Sequence, residues 1–204
     1  VGIANESHDE WRRILANAAG TSLERVSIHC LHQHDTPGMD RTAFKILSEN
    51  SGNNILKNID FEDNVIKSTA NALKLALCNA EAVSHISIGK ARVDKFASNR
   101  RIQGPDGKVI FTRFTTCIDE IFRCHSEGVI DPFVRSLCFY NQEKPLISMT
   151  YYATHPQSFY RRGTVSAVTV GLARYLREAM EPEINHIHFC GAGGNIGAGK
   201  YNDG

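Results

Sequence analysis

Val26-Ser27-Ile28-His29-Cys30-Leu31-His32-Gln33-His34-Asp35-Thr36-Pro37-Gly38 reads as a strand that runs into a polar turn. Ser27, His29 and Leu31 alternate with Val26, Ile28, Cys30 and His32, and Pro37-Gly38 stops the run. His32 and His34 stand at its exit. In an extended chain a spacing of two turns both imidazoles to one face. Two neutral imidazoles on one element supply two nitrogen ligands, as a zinc site requires, although His-x-His pairs also occur without metal.

The rest of the chain sets this stretch in a layered fold. Glu6–Ala19 carries Trp11, Ile14, Leu15 and Ala18 at helical spacing before Gly20. Residues 39–60 are polar and read as a loop with one helical turn, and Phe61–Ala82 reads as a second helix. Strands are predicted at His85–Ala91, Val109–Phe114, Ser136–Tyr140, Leu146–Ala153 and Ile184–Cys190, with a third helix over Thr169–Met180. Thr115–Ile130 has no clear pattern. Interleaved helices and strands define an α/β or α+β class, a mixed sheet with flanking helices. No internal repeat or linker divides residues 1–204, which read as one domain. The chain stops soon after a strand and a glycine-rich turn, so the fold reads as incomplete.

Composition narrows the function. The 204 residues are 42% hydrophobic and 22% charged, with a net charge of +1. No basic excess points to nucleic acid, and no apolar run approaches a membrane span. Residues 1–6 lack the pattern of a signal peptide, and no initiating Met is present, so the chain reads as a mature form or a fragment. The six cysteines are scattered without a Cys-x-x-Cys pair and read as free thiols in apolar settings. Compartment and oligomeric state stay open.

Three predicted strand ends carry polar turns: His32–Asp35, Thr154-His155-Pro156 and Gly191–Gly199. Sites in layered folds gather at such ends. A third imidazole, His155, can converge on the pair. As a single residue it also reads as a core histidine bonded to backbone. Asp35 reads as a carboxylate orienting an imidazole or as a turn cap. His186 and His188 read as lining a polar layer or facing solvent, His29 as structural, and Arg161-Arg162 as solvated or as partners of an anionic group.

The order of these motifs resembles the neutral/alkaline ceramidase family. His32-Gln33-His34-Asp35-Thr36-Pro37-Gly38 is similar to its Thr-His-Thr-His-Ser-Gly-Pro segment, and Ser98-Asn99-Arg100 to its Asn-Arg-Ser segment. Ala153-Thr154-His155-Pro156-Gln157-Ser158 is similar to its Asn-His-Pro-Thr-Ser segment, and a glycine-rich turn follows. The resemblance is a string of motifs along the whole chain, matching the N-terminal half of that family's catalytic domain. It implies a zinc-dependent hydrolase of the amide bond in ceramide-like lipids, acting on a lipid or small-molecule amide, and it allows a secreted or periplasmic setting. His32 and His155 would be zinc ligands. His34 would meet the substrate or its tetrahedral intermediate, and Arg100 would help place the substrate. Three positions depart: the family's serine aligns with Gly197, its aspartate with Asn195, and Val168 takes a carboxylate's place.

Two other readings stay open. The chain could be a non-catalytic, ligand-binding relative. Gly194-Asn195-Ile196-Gly197-Ala198-Gly199-Lys200 also has the spacing of a phosphate-cradling loop, although Tyr201 replaces the Ser or Thr that binds magnesium. An amidohydrolase barrel would need more β/α units. The metallo-β-lactamase pattern is broken at Asp35 and Pro37.

Overall fold

A computed structural model describes residues 2–51, 57–157 and 163–204. The class is mixed α/β, in two compact units. One comprises residues 1–30 and 37–82; the other comprises 31–36 and 83–204.

The first unit is helical. Helix α1 spans Asn5–Ala19 and ends in a Schellman motif: Gly20, at φ +62°, sends its N–H to Asn17 O, and Thr21 N–H reaches Ala16 O. Helix α2 spans Arg41–Ser51 and α3 spans Lys57–Leu77. Trp11 and Leu15 of α1 bury against Ile66 and Ala70 of α3, with Val26 and Ile28 packed at the edge. Glu62 is fully buried and is held by Ser7 Oγ at 3.0 Å and Arg41 Nε at 3.1 Å. Such a carboxylate is tolerable because both its oxygens are satisfied.

Two expectations are corrected here. Among the described residues of 39–60, helices stand where a loop was expected: α2 covers Arg41–Ser51 and α3 begins at Lys57. Asp40 Oδ1 accepts from Ala43 N–H at 2.9 Å, an N-cap that starts α2. The Val26–His32 strand is absent too, since Val26–Gln33 joins no ladder. Val26 and Ile28 still take the buried side of an alternating pattern, packing as apolar side chains without strand partners.

The second unit holds β1 (His85–Arg92), β2 (Ser98–Asn99), β3 (Arg101–Gln103) and β4 (Val109–Thr112). After these come α4 (Glu120–Cys124), β5 (Phe133–Asn141), β6 (Lys144–Tyr152), α5 (Val168–Met180), β7 (Asn185–Cys190) and β8 (Ile196–Gly197). The main sheet has the order β1-β5-β6-β7. β5 and β6 form an antiparallel hairpin turning at Gln142, whose φ is +51°. β6 and β7 run parallel, and α5 makes the crossover that a parallel pair requires. The carboxyl ends of β6 and β7 therefore lie side by side, at Tyr152 and Cys190.

Candidate metal centre

The His32, His34 and His155 segments meet at those two strand ends. Past β6, Thr154-His155-Pro156 lies buried, and His155 N–H donates to Ile196 O at 3.0 Å. Past β7, Gly191 N–H returns to Tyr152 O at 2.9 Å and starts the glycine-rich turn. Leu31–Thr36 belongs to the same unit. Cys190 Sγ donates to Leu31 O at 3.3 Å, and Gln33 Nε2 donates to Ser166 O at 2.9 Å, which fixes the segment at both sides of His32.

His32 adopts φ +56°. The chain turns there instead of staying extended, so His32 and His34 come together by a left-handed turn and not by strand alternation. Such a conformation is uncommon outside glycine and costs on the order of 1 kcal/mol. The ring centroids lie 5.1 Å apart for His32–His34, 5.0 Å for His32–His155 and 6.4 Å for His34–His155, each pair edge to face. One ring nitrogen from each of the three falls within 4.8 Å of the others.

This donor set fits a metal ion. Tetrahedral zinc with histidine ligands needs nitrogens roughly 3.4 Å apart, a distance that small ring rotations reach from here. His155 is also held as a ligand should be. Its Nδ1 faces Gly193 O at 2.7 Å and Ile196 O at 2.9 Å. Two carbonyl oxygens can only accept, so Nδ1 carries the hydrogen and Nε2 keeps its lone pair free. His155 is 8% exposed, whereas His32 and His34 are exposed.

Partial desolvation by the surrounding chain, and then the neighbouring His155, hold His32 below the usual histidine pKa of 6.5. Partial desolvation, then His32 and His155, do the same to His34. The Arg100 guanidinium adds a smaller push on both. The rings thus stay neutral to lower pH than a free imidazole, as metal ligation requires. The sign for stability follows. Both pKa values are lower folded than unfolded, so the unfolded chain takes up protons first as pH falls. Stability is full above about pH 6.5 and declines below it. The urea midpoint of the metal-free chain should fall between pH 7.5 and 5.5, and a His32→Asn, His34→Asn variant should show a shallower fall. Equal slopes would contradict the shared cause.

The glycine-rich turn serves the histidine and not a phosphate. Gly193 lies so close to Thr154 that a Cβ there would meet Thr154 backbone atoms at 2.8–3.0 Å. Only glycine lets the turn reach His155. Gly193→Ala is therefore expected to destabilise the chain by about 2 kcal/mol and to weaken metal binding, read by urea titration and metal titration. The phosphate-loop reading is corrected by the bonds around Lys200. Lys200 Nζ donates to Arg123 O at 2.7 Å and His125 O at 2.6 Å, so it caps the last carbonyls around α4. Residues 196–199 are buried, which leaves no cradle of open amides.

Arg100 is brought to the same turn by main-chain pairing. β2 runs antiparallel to β8, with Ser98 opposite Gly197 and Asn99 opposite Ile196. Arg100 N–H donates to Asn195 O at 2.7 Å, and its guanidinium lies 5.8 Å from the Phe114 ring. At Gly197 a Cβ would meet the Arg100 stem at 3.6 and 3.8 Å, so a side chain has room there. Val168, at the carboxylate's position, is buried at φ +46°, a strained state for a β-branched residue. Ser158, Arg161 and Arg162 lie outside the described residues. His186 is buried on β7, and His188 Nδ1 lies 2.9 Å from Thr150 Oγ1, so neither joins the cluster.

Sequence reading missed Arg113. It is 1% exposed and donates to four main-chain carbonyls: Asn99 O from Nε (3.2 Å) and Nη2 (3.0 Å), Phe122 O (3.4 Å) and His125 O (3.0 Å) from Nη1, and Ser126 O (2.8 Å) from Nη2. This guanidinium ties β2, and so Arg100, to the loop after α4. A lone arginine after the β4 strand pattern gives no sequence signal for that role.

No protein-family model and no curated protein matches the chain. Among solved structures, the neutral ceramidase from Pseudomonas aeruginosa is similar over 65% of this chain at 13% identity, with a TM-score of 0.44. A ceramidase complexed with C2 is similar over 55% at 15% identity, with a TM-score of 0.39. The matched parts are 20% and 16% of those chains, so this chain spans about a fifth of their length or less. No helix among the described residues is long and apolar enough to cross a membrane.

Proposed function

We propose that the chain carries part of a zinc-dependent hydrolase centre that cleaves the amide bond of an N-acyl lipid. It would form the N-terminal portion of a ceramidase-like catalytic domain. The reading rests on the meeting of His32, His34 and His155, with His155 Nδ1 held by two carbonyls. Motif order along the sequence supports the substrate class.

In this reading His32 and His155 hold the ion, and His34 and Arg100 face the reacting carbonyl. Zinc at such a site supplies Lewis acidity and a source of hydroxide near neutral pH. His34, kept neutral by its surroundings, can donate one hydrogen bond to the oxygen that gains charge. Arg100 brings a fixed positive charge within range of the same rings. A donor aimed at that oxygen lowers the barrier by about 2.7–4 kcal/mol. The carbonyls of Gly193 and Ile196 keep the His155 ring from rotating, so Nε2 stays aimed.

The test is release of fatty acid from an N-acyl lipid by the longest natural form of the chain, with zinc and with a chelator. Chelator-insensitive turnover, or none with zinc bound, would sink it. The spacing of the three nitrogens favours a second reading for His34, as a third ligand. His34→Ala separates the two. In the main reading the variant keeps its zinc stoichiometry and loses turnover by about a hundredfold. Metal loss equal to that of His32→Ala would make His34 a ligand.

A further inference from the structure

The start of α5, residues 166–169, is bonded to both histidine segments. Ser166 O accepts from Gln33 Nε2 at 2.9 Å, and Gln33 stands between His32 and His34. Three residues on, Thr169 Oγ1 donates to Pro156 O at 3.1 Å, and Pro156 directly follows His155. All of these residues lie in the second unit. Leu31–Thr36 is neither helix nor strand, so no β-ladder holds its two rings in place. Bonds between its side chains and distant main chain have to do so instead. Pro156 is fully buried, which leaves its carbonyl little freedom to move.

The Gln33 bond joins two strained turns. Ser166 Oγ accepts from Val168 N–H at 3.1 Å and closes the turn in which Val168 sits at φ +46°. That turn is tight: a Cβ on Gly171 would meet Ala167 Cβ at 2.1 Å. On the other side of the bond His32 sits at φ +56°. Non-glycine residues are uncommon in this region, and here two of them flank one hydrogen bond. Such strain persists only where the surrounding structure over-determines it, and it gathers at ligand sites.

We infer that the start of α5 is a clamp that sets the spacing between the His32–His34 pair and His155, with Gln33 and Thr169 as positioning residues for the metal. The inference rests on the metal-centre reading above. Partners that orient a ligand without touching the ion typically account for about 10–100-fold in metal affinity. Gln33→Met and Thr169→Val keep the side-chain size and remove one donor each. The probe is cobalt(II), whose visible spectrum reports ligand geometry, titrated into the metal-free longest natural form of the chain. Each variant should bind cobalt at least about tenfold more weakly and with an altered spectrum. The double variant should lose less than the product of the two losses, because the ties act in series and breaking either one opens the clamp. Thr169→Ser keeps the hydroxyl and should restore affinity and spectrum. A merely structural role would lower the urea midpoint and leave the affinity and spectrum of the folded variants unchanged, and that result overturns the clamp. Losses that multiply would show two separate supports and overturn it too. If one single variant fails to fold, the other still decides. No cobalt binding by the wild-type chain would overturn the metal reading itself, whereas wild-type binding with unaltered variants overturns the clamp alone.

Discussion

His155→Ala is expected to cost the chain its zinc. After dialysis the longest natural form should retain about one ion per chain, and the variant should retain none at the same protein concentration. The expectation rests on how the ring is held. Nδ1–H is fixed by Gly193 O and Ile196 O, so Nε2 is the one nitrogen of His155 that can ligate. Loss of a partner that merely orients a ligand weakens metal binding about 10–100-fold, and loss of the ligand itself should exceed that. His125→Ala is the control, an exposed histidine outside the cluster that should leave the metal in place. Elemental analysis reads both. Equal zinc in wild type and His155→Ala would end the metal assignment, and with it the hydrolase reading.

The second large effect is on stability. Arg113→Leu should destabilise the chain by about 3 kcal/mol or more. The leucine fills part of the space but leaves the carbonyls of Asn99, Phe122 and Ser126 without the donor that satisfies them. Each acceptor so orphaned in this part-buried setting costs about 1–3 kcal/mol. His125 O keeps Lys200 Nζ at 2.6 Å, so it is counted out. Lysine should not rescue, because one ammonium cannot span carbonyls that a flat five-donor fork reaches together. Whole-domain stabilities are only about 5–15 kcal/mol, so the variant should be largely unfolded at moderate urea. An Arg113→Leu chain within 1 kcal/mol of wild type by urea titration would show the carbonyls to be solvated instead.

Much of the fold was legible because it is local. The 3.6-residue spacing of Trp11, Leu15 and Ala18, the alternation of Ile86 and Ile88 with Ser87 and Gly89 in β1, and the apolar run of β6 are written in neighbouring residues. Helix α2 was missed, because its polar composition masked the one local signal it carries, the Asp40 cap. The Val26–Leu31 alternation misled for a definable reason. A strand exists only when another strand pairs with it, and the partner is non-local information that spacing does not contain.

The site divides in the same way. The sequence by itself determined the chemistry on offer: two imidazoles beside Gln33, one imidazole before Pro156, an arginine after Asn99 and a glycine-rich turn after the last long strand. Tertiary structure alone decided which of them meet. The parallel pairing of β6 and β7 sets His155 beside the Gly191–Gly193 turn, and the left-handed turn at His32 swings the other two rings inward. It also converted Lys200 from a candidate phosphate ligand into a helix cap, and hid Arg113 among carbonyls. The physical reason is that a side chain's role depends on which buried groups it must satisfy, and those groups arrive from distant parts of the chain only when the fold closes.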